Sequence, residues 1–301
     1  MGVFGAVVEM EIEAVPLELL EAKVIAIPIE DVIKCFDDVM TSNKYARFIV
    51  YPSIGKATVW TANPVDSREA AVANGATDHI GRYTNFRNDK EKAMLVEYLE
   101  LCTVNEFEKA DAILERVLES QVARLNHYVG QHNHVLCLER NNGIPHADIE
   151  FNLDYNKHKE VLQSVQKYCS SNRMPYYNYE IRTTKQDDAI LSCCQGRDAM
   201  WIDFQAKADV ANEFFHDMES ILKPFGFRKH WAKGTGNTDP TYLVQQFPRV
   251  AEFIKLMKSF DPMGKFRNTQ LEAWFEVMDG LVTKAEEEEA VKEIQEEKKD
   301  D

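Results

Sequence analysis

The sequence predicts an α+β fold, an antiparallel sheet with helices packed on one face. Three observations carry this reading. Segments in which apolar and polar residues alternate recur along the chain and mark strands with one wet face. Between them lie segments with apolar residues three and four apart, the spacing of amphipathic helices. Strands and helices alternate without an internal repeat, which suits helices segregated to one side of an antiparallel sheet.

The elements follow in order. Val8, Met10, Ile12 and Ala14 alternate with Glu9, Glu11 and Glu13, so residues 8–14 read as a strand that Pro16 ends. Residues 29–41 read as a helix with Val32, Ile33, Phe36 and Val39 on one face. Residues 46–51 and 57–62 read as a hairpin joined by Pro52-Ser53-Ile54-Gly55. The polar, turn-rich stretch 63–88 gives no element. Residues 89–129 read as helices, carrying Met94, Leu95, Tyr98 and Leu99, then Ile113, Val117, Val122 and Leu125. Strands are expected at 147–154, 177–184 and 200–206, and a helix at 157–171. A further helix at 208–223 turns Val210, Phe214, Met218, Ile221 and Leu222 inward, and Pro224-Phe225-Gly226 ends it. Helix 247–259, a turn at 260–264 and an aromatic segment at 271–277 complete the series.

The bulk numbers bound the function. With 45% hydrophobic residues, including 16 Phe, 11 Tyr and 4 Trp, the 301-residue chain can bury a sizeable core in one large domain or two. A net charge of -15 excludes a nucleic-acid partner, because phosphate requires clustered Lys and Arg. Part of that charge sits in residues 285–301, which read as a solvated helical or disordered tail. The six cysteines show neither a C-x-x-C pair nor zinc spacing and read as reduced thiols of an intracellular protein. His127, His132, His134 and His146 match no metal-ligand spacing, so no metal site is expected. Neither a signal peptide nor a membrane-spanning run is legible, which suggests a cytoplasmic or peripherally membrane-associated protein.

Two strings stand out, Asn178-Tyr179-Glu180-Ile181-Arg182 and Arg228-Lys229-His230-Trp231-Ala232-Lys233. Each crowds ionisable groups beside sequence that reads as sheet or core. Alternation puts Glu180 and Arg182 on one strand face, about 6.5–7 Å apart. Trp201, Asp203 and Gln205 share a face of the strand at 200–206 in the same way. Such a face is either a solvated ion-pair surface or the floor of a polar small-molecule site. In the second string Trp231 reads as core, and His230 and Lys233 as satisfied and solvated unless they join that floor.

Taken together, these residues resemble the substrate domain of the sugar-lactone (aldonolactone) oxidases, of gulono-, galactono- and arabinonolactone types, in the vanillyl-alcohol-oxidase class of flavoproteins. The resemblance is carried by Tyr179-Glu180-Ile181-Arg182, by 187–192 with Arg197-Asp198, by 226–233 and by 260–268. The opening Gly2-Val3-Phe4-Gly5-Ala6-Val7-Val8 resembles the last turn and strand of that class's flavin-binding domain. The resemblance implies oxidation of a CH–OH group of a sugar lactone by hydride transfer to FAD. It implies that Glu180, Arg182 and Gln205 bind the substrate, that His230, Lys233, Gly2 and Gly5 meet the cofactor, and that Lys233, Arg182 and Glu180 are catalytic. Lys233 would steady the reduced flavin near N1, and the proton acceptor is either His230 or Glu180.

The resemblance also implies a division into 1–15, a flavin-domain remnant, 16–276, the substrate domain, and the tail 277–301. The family's glycine-rich pyrophosphate loop has no counterpart in the sequence. The chain alone is therefore expected to hold FAD weakly and to be inactive. It would be a truncated product, an incomplete gene model or a flavin-free descendant. Expected partners are the sugar lactone, a flavin-binding domain in trans, or a second copy by self-association. The alternative is a catalytically inactive sugar-binding or interaction protein.

Overall fold

Gly55 makes the hairpin expected from the sequence. It adopts a left-handed conformation (φ +61°), and its N–H donates to Pro52 O at 3.1 Å. In the computed structural model, which describes residues 2–80, 87–136, 146–234, 238–268, 272, 274–280 and 283, this hairpin joins β2 (Tyr45–Tyr51) to β3 (Lys56–Pro64). Before it come β1 (Leu19–Pro28) and α1 (Asp31–Ser42). After it come α2 (Arg68–Ala73), β4 (Thr77–Asp78), α3 (Asp89–Thr103), α4 (Phe107–Leu125), β5 (His127–Gln131) and α5 (His132–Leu136). The rest is β6 (Ala147–Asp154), α6 (His158–Ser171), β7 (Tyr179–Thr184), β8 (Ala199–Ala206), α7 (Ala211–Leu222), β9 (Arg228–Lys229), α8 (Pro240–Gln245) and α9 (Val250–Phe260).

The strands form a nine-stranded sheet in the order β4-β5-β1-β3-β2-β7-β8-β6-β9. All neighbours run antiparallel except β4 and β5. Side-chain alternation divides the sheet into two faces. Phe48 and Val50, Tyr179 and Ile181, Ile202 and Phe204, and Phe151 point to one face, where α1, α6 and α7 cover them. This is the helical layer that the sequence predicts.

The other face is covered over only part of its width. There Leu20, Val24, Ile49, Tyr51 and Trp60 pack under α3 and α4. A buried carboxylate ties those two helices together. Glu91 completes the capping box at Asn88 and accepts from Ser120 Oγ (2.8 Å) and Arg124 Nη2 (2.9 Å) on α4. The α3–α4 pair stops short of β7, β8 and β6. Their second face carries polar side chains, and the candidate site lies on it.

Three expectations need correction. Residues 8–14 form no strand; Val8 is 95% and Ile12 77% exposed. Alternation supplies a strand's side-chain pattern but not the neighbouring backbone that completes its hydrogen bonds. The first strand is instead β1, which the sequence reading passed over along with α2, β4 and α8, and residues 127–129, read as the end of a helix, lie in β5. Val210 is 39% exposed and lies just before α7 rather than facing inward. Trp274 and Phe275 are buried against α8 and α9, while Leu271 and the tail 285–301 lie outside the described residues. Among the described residues, no helix is long and apolar enough to cross a membrane.

Candidate functional site

The sheet register sets three carboxylates side by side. Glu150 on β6 faces Asp203 on β8, and Asp203 faces Glu180 on β7. Like charges in directly opposed positions repel, so the row requires cations. Arg182, two residues along β7 from Glu180, lays its guanidinium 5.2 Å over the Trp201 ring and donates from Nε to Glu150 Oε1 at 2.8 Å. Lys233, in the loop after β9, donates to Asp203 Oδ2 at 2.6 Å. The same ammonium lies 3.2 Å from Glu150 Oε2 and 3.4 Å from Asp148 Oδ2. Arg47 of β2 approaches Glu180 Oε2 at 3.7 Å.

Glu150, Glu180, Arg182, Asp203, His230 and Lys233 line one open cleft of about 270 Å³. The structure thus brings together Glu180, Arg182, His230 and Lys233 from the two strings. Gln205 lies among them only through Asp203, to whose Oδ2 its Nε2 donates at 3.2 Å. Gly2 and Gly5 do not line the cleft. Their turn is held at α9, where Phe4 packs edge-on against Phe253 and Phe260 and Val3 is buried.

The loop that delivers Lys233 is stitched to β6. His230 N donates to Glu150 O (3.0 Å), Lys233 N to His230 O (3.2 Å), and Gly234 N to Asp148 O (2.9 Å). A Cβ on Gly234 would stand 2.6 Å from Asp148 O, so only glycine permits this approach. His230 accepts at Nδ1 from Ala232 N (3.2 Å). The remaining ionisable residues of that string are structural. Arg228 is buried and donates to the carbonyls of Cys193, Gln195 and Gln246. Lys229 pairs with Glu219 of α7 on the opposite face. Trp231 donates to Leu191 O at 2.8 Å and stacks with Phe247.

Burial and charge act against each other throughout the cleft. Burial pushes the Asp203 carboxyl up to about 6, against the pull of Lys233. Burial also resists ionisation of Glu150, but Arg182 and Lys233 outweigh it and hold that carboxyl below its ordinary value. For Lys233 burial favours the neutral amine, and Asp203 and Glu150 reverse this and hold it above its ordinary value. The cleft therefore keeps two fixed cations, one strong carboxylate and one carboxyl near the neutral range.

Sequence reasoning missed Glu150 as a member of the cleft, and Asp148 and Arg47 as charges paired with its lining residues. The pattern of 147–154 shows a polar face, but only the register shows that this face adjoins Asp203. Among the expected histidines, His127 lies 2.6 Å from Glu21, and no group of potential metal ligands forms among the described residues.

A solvent-stable cholesterol oxidase superposes with a TM-score of 0.68 at 17% identity, over 86% of this chain and 60% of that one. The cholesterol oxidase from B. sterolicum gives 0.66 at 15% over the same shares. The chain thus shares the fold of these cholesterol oxidases over most of its length.

Residues 10–276 match the D-arabinono-1,4-lactone oxidase family, and the chain belongs to it. It is similar to the L-gulonolactone oxidase of Mus musculus, 22% identical over 298 residues, covering 91% of this chain and 61% of that protein. It is similar to the L-gulono-1,4-lactone dehydrogenase of Mycobacterium tuberculosis, 22% identical over 270 residues, covering 89% and 60%. An alditol oxidase from a Streptomyces strain is 33% identical over 103 residues, or 34% of this chain and 24% of that protein. The chain thus spans about 60% of the length of the mouse and mycobacterial relatives.

Proposed function

We propose that this chain carries the substrate site of a sugar-lactone oxidoreductase acting on a CH–OH group. The observation that carries the reading is the meeting of Arg182 and Lys233 over the Glu150–Asp203–Glu180 row, in an open cleft on the polar face of β7, β8 and β6. A sugar lactone offers several hydroxyls and a carbonyl on a small ring. Glu180 and Asp203 would accept from hydroxyls, while Arg182 would donate to ring or carbonyl oxygens. Lys233 would place positive charge where negative charge develops on oxidation. Four carboxylates around the cleft favour a neutral lactone over its hydrolysed, negatively charged aldonate.

FAD, which the family resemblance implies, would supply the hydride acceptor. The donor set fits its ring end only. Lys233 and His230 are the cleft donors available to the ring. Asp148, Glu150, Glu180 and Asp203 repel a pyrophosphate, so the phosphates would be held elsewhere. Weak FAD retention by the chain alone is part of this proposal.

Calorimetric titration with L-gulono-1,4-lactone and D-arabinono-1,4-lactone, and with the matching aldonates, tests the site. Lactone binding that is lost in Arg182→Ala and weak for the aldonates is the expected result. Absence of lactone binding overturns the reading. Bleaching of added flavin by the lactone then separates an oxidoreductase from a sugar-binding protein.

A further inference from the structure

Glu150 has a property that no other carboxylate of the cleft shares, since it reaches both cations. Its Oε1 accepts from Arg182 Nε at 2.8 Å and its Oε2 lies 3.2 Å from Lys233 Nζ. Arg182 starts from β7, and Glu150 from β6, with β8 between them. The arginine side chain must therefore cross β8, and it does so over the face of Trp201. Among the described residues, Glu150 is the hydrogen-bond partner at the end of that crossing.

The way in which the two residues meet matters chemically. Glu150 engages Nε, the inner nitrogen of the guanidinium. The Arg182 side chain remains 47% exposed, while that of Glu150 is 1% exposed. Both terminal nitrogens, the fork that grips planar oxygen groups, are thereby left to the cleft. Two cations on separate elements repel each other unless an anion stands between them. A buried carboxylate is costly to the fold unless it is paired.

We propose that Glu150 is the positioning residue of this site. It anchors the Arg182 guanidinium on Trp201 with its outer nitrogens presented, and it sets the spacing between Arg182 and Lys233 across which one lactone is bound. This rests on the functional reading above and names a residue to which neither the family resemblance nor the alternation pattern gave a role. Glu150 does not itself take part in proton or hydride transfer.

The test compares Glu150→Gln, which keeps shape and loses charge, with Glu150→Asp, which keeps charge. Two measurements are made on the full chain, the affinity for L-gulono-1,4-lactone and the ¹⁵N–¹H signal of Arg182 Nε, assigned by its loss in Arg182→Lys. In the native chain that signal should be downfield and slow to exchange, as for a donor held by a carboxylate. Glu150→Gln should shift it toward the free-arginine position and weaken lactone binding about tenfold, the scale of one charge-assisted hydrogen bond. Glu150→Asp should recover part of both.

A purely structural Glu150 would instead let the isosteric glutamine bind lactone as the native chain does, and that result overturns the proposal. So does a native Arg182 signal indistinguishable from free arginine, which needs no variant to fold. A native chain that keeps the held Arg182 signal yet binds no lactone overturns the functional reading, and with it the substrate-spacing role, while the anchoring contact stands.

Discussion

Lys233 Nζ lies 2.6 Å from Asp203 Oδ2, joining a loop to the central carboxylate of a strand-crossing row. The pair is not a simple ion pair, because burial raises its acid to about 6, within reach of protonation in mild acid. Removing Lys233 strands a carboxyl that can respond by taking up a proton, so the loss of stability should depend on pH. Lys233→Ala should cost at most about 1 kcal/mol near pH 5 and about 3 kcal/mol near pH 8. Urea unfolding of both chains at the two pH values checks this. A loss that does not change with pH would mean that Asp203 ionises freely without its partner.

Asp203 and Glu150 should pull the pH–stability curve in opposite directions. Asp203 rises from 3.8 to about 6 in the fold. Between those values the folded state binds more protons than the unfolded chain, so stability falls as pH rises through the window, by up to about 3 kcal/mol. Glu150 is depressed, so its contribution is present above the unfolded value and is lost as pH falls through the folded one. Asp203→Asn should therefore gain on the native chain steadily from about pH 4 to about pH 7. Melting curves of the two proteins across that range, plotted as a difference, give the sign directly.

Which parts of this arrangement were legible in the sequence follows from what periodicity encodes. Alternation correctly placed Glu180 with Arg182, and Asp203 with Gln205, because a strand's side-chain period is two whatever its neighbours are. It correctly read 147–154 as a strand but as a half-buried one, whereas Glu150 and Asn152 on its polar face are buried; it gave no role to Glu150, since the residue that Glu150 faces depends on the β6–β8 register. The same limit explains the false strand at 8–14, where the pattern exists and the partner backbone does not. In the string 228–233 the residue pattern alone does not sort the cations, and it was the family resemblance that singled out His230 and Lys233, which the structure does bring to the cleft. Arg228, Lys229 and Lys233 look alike in sequence, but a two-residue strand followed by a turn sends them to three different places.

Gly234 carries a prediction of its own. Its N–H closes the loop on Asp148 O, where any side chain would collide with backbone. Gly234→Ala should displace the loop and lift Lys233 off Asp203 and Glu150, at about 1–3 kcal/mol in stability. Lactone binding should fall far more than folding does. Circular dichroism for the fold and calorimetry for the ligand separate the two effects, and a variant that binds lactone normally would show that Lys233 needs no such closure.

Lys229 provides the opposite case, a cation of the same string that should not matter to the ligand. It is buried between Phe151 and Phe227 and pairs with Glu219, which also accepts from Thr238 Oγ1 at 2.8 Å. Lys229→Met leaves Glu219 as a poorly compensated buried charge and should cost about 3 kcal/mol. Replacing both partners, Lys229→Met with Glu219→Met, removes the stranded charge as well as the pair, and most of the lost stability should return. Throughout, lactone affinity should stay within about twofold of the native value, because the Lys229–Glu219 pair meets α7 on the face opposite the cleft. If the double variant lost lactone binding while recovering its melting temperature, the two faces of the sheet would be coupled, and the assignment of Lys229 to structure alone would have to be abandoned.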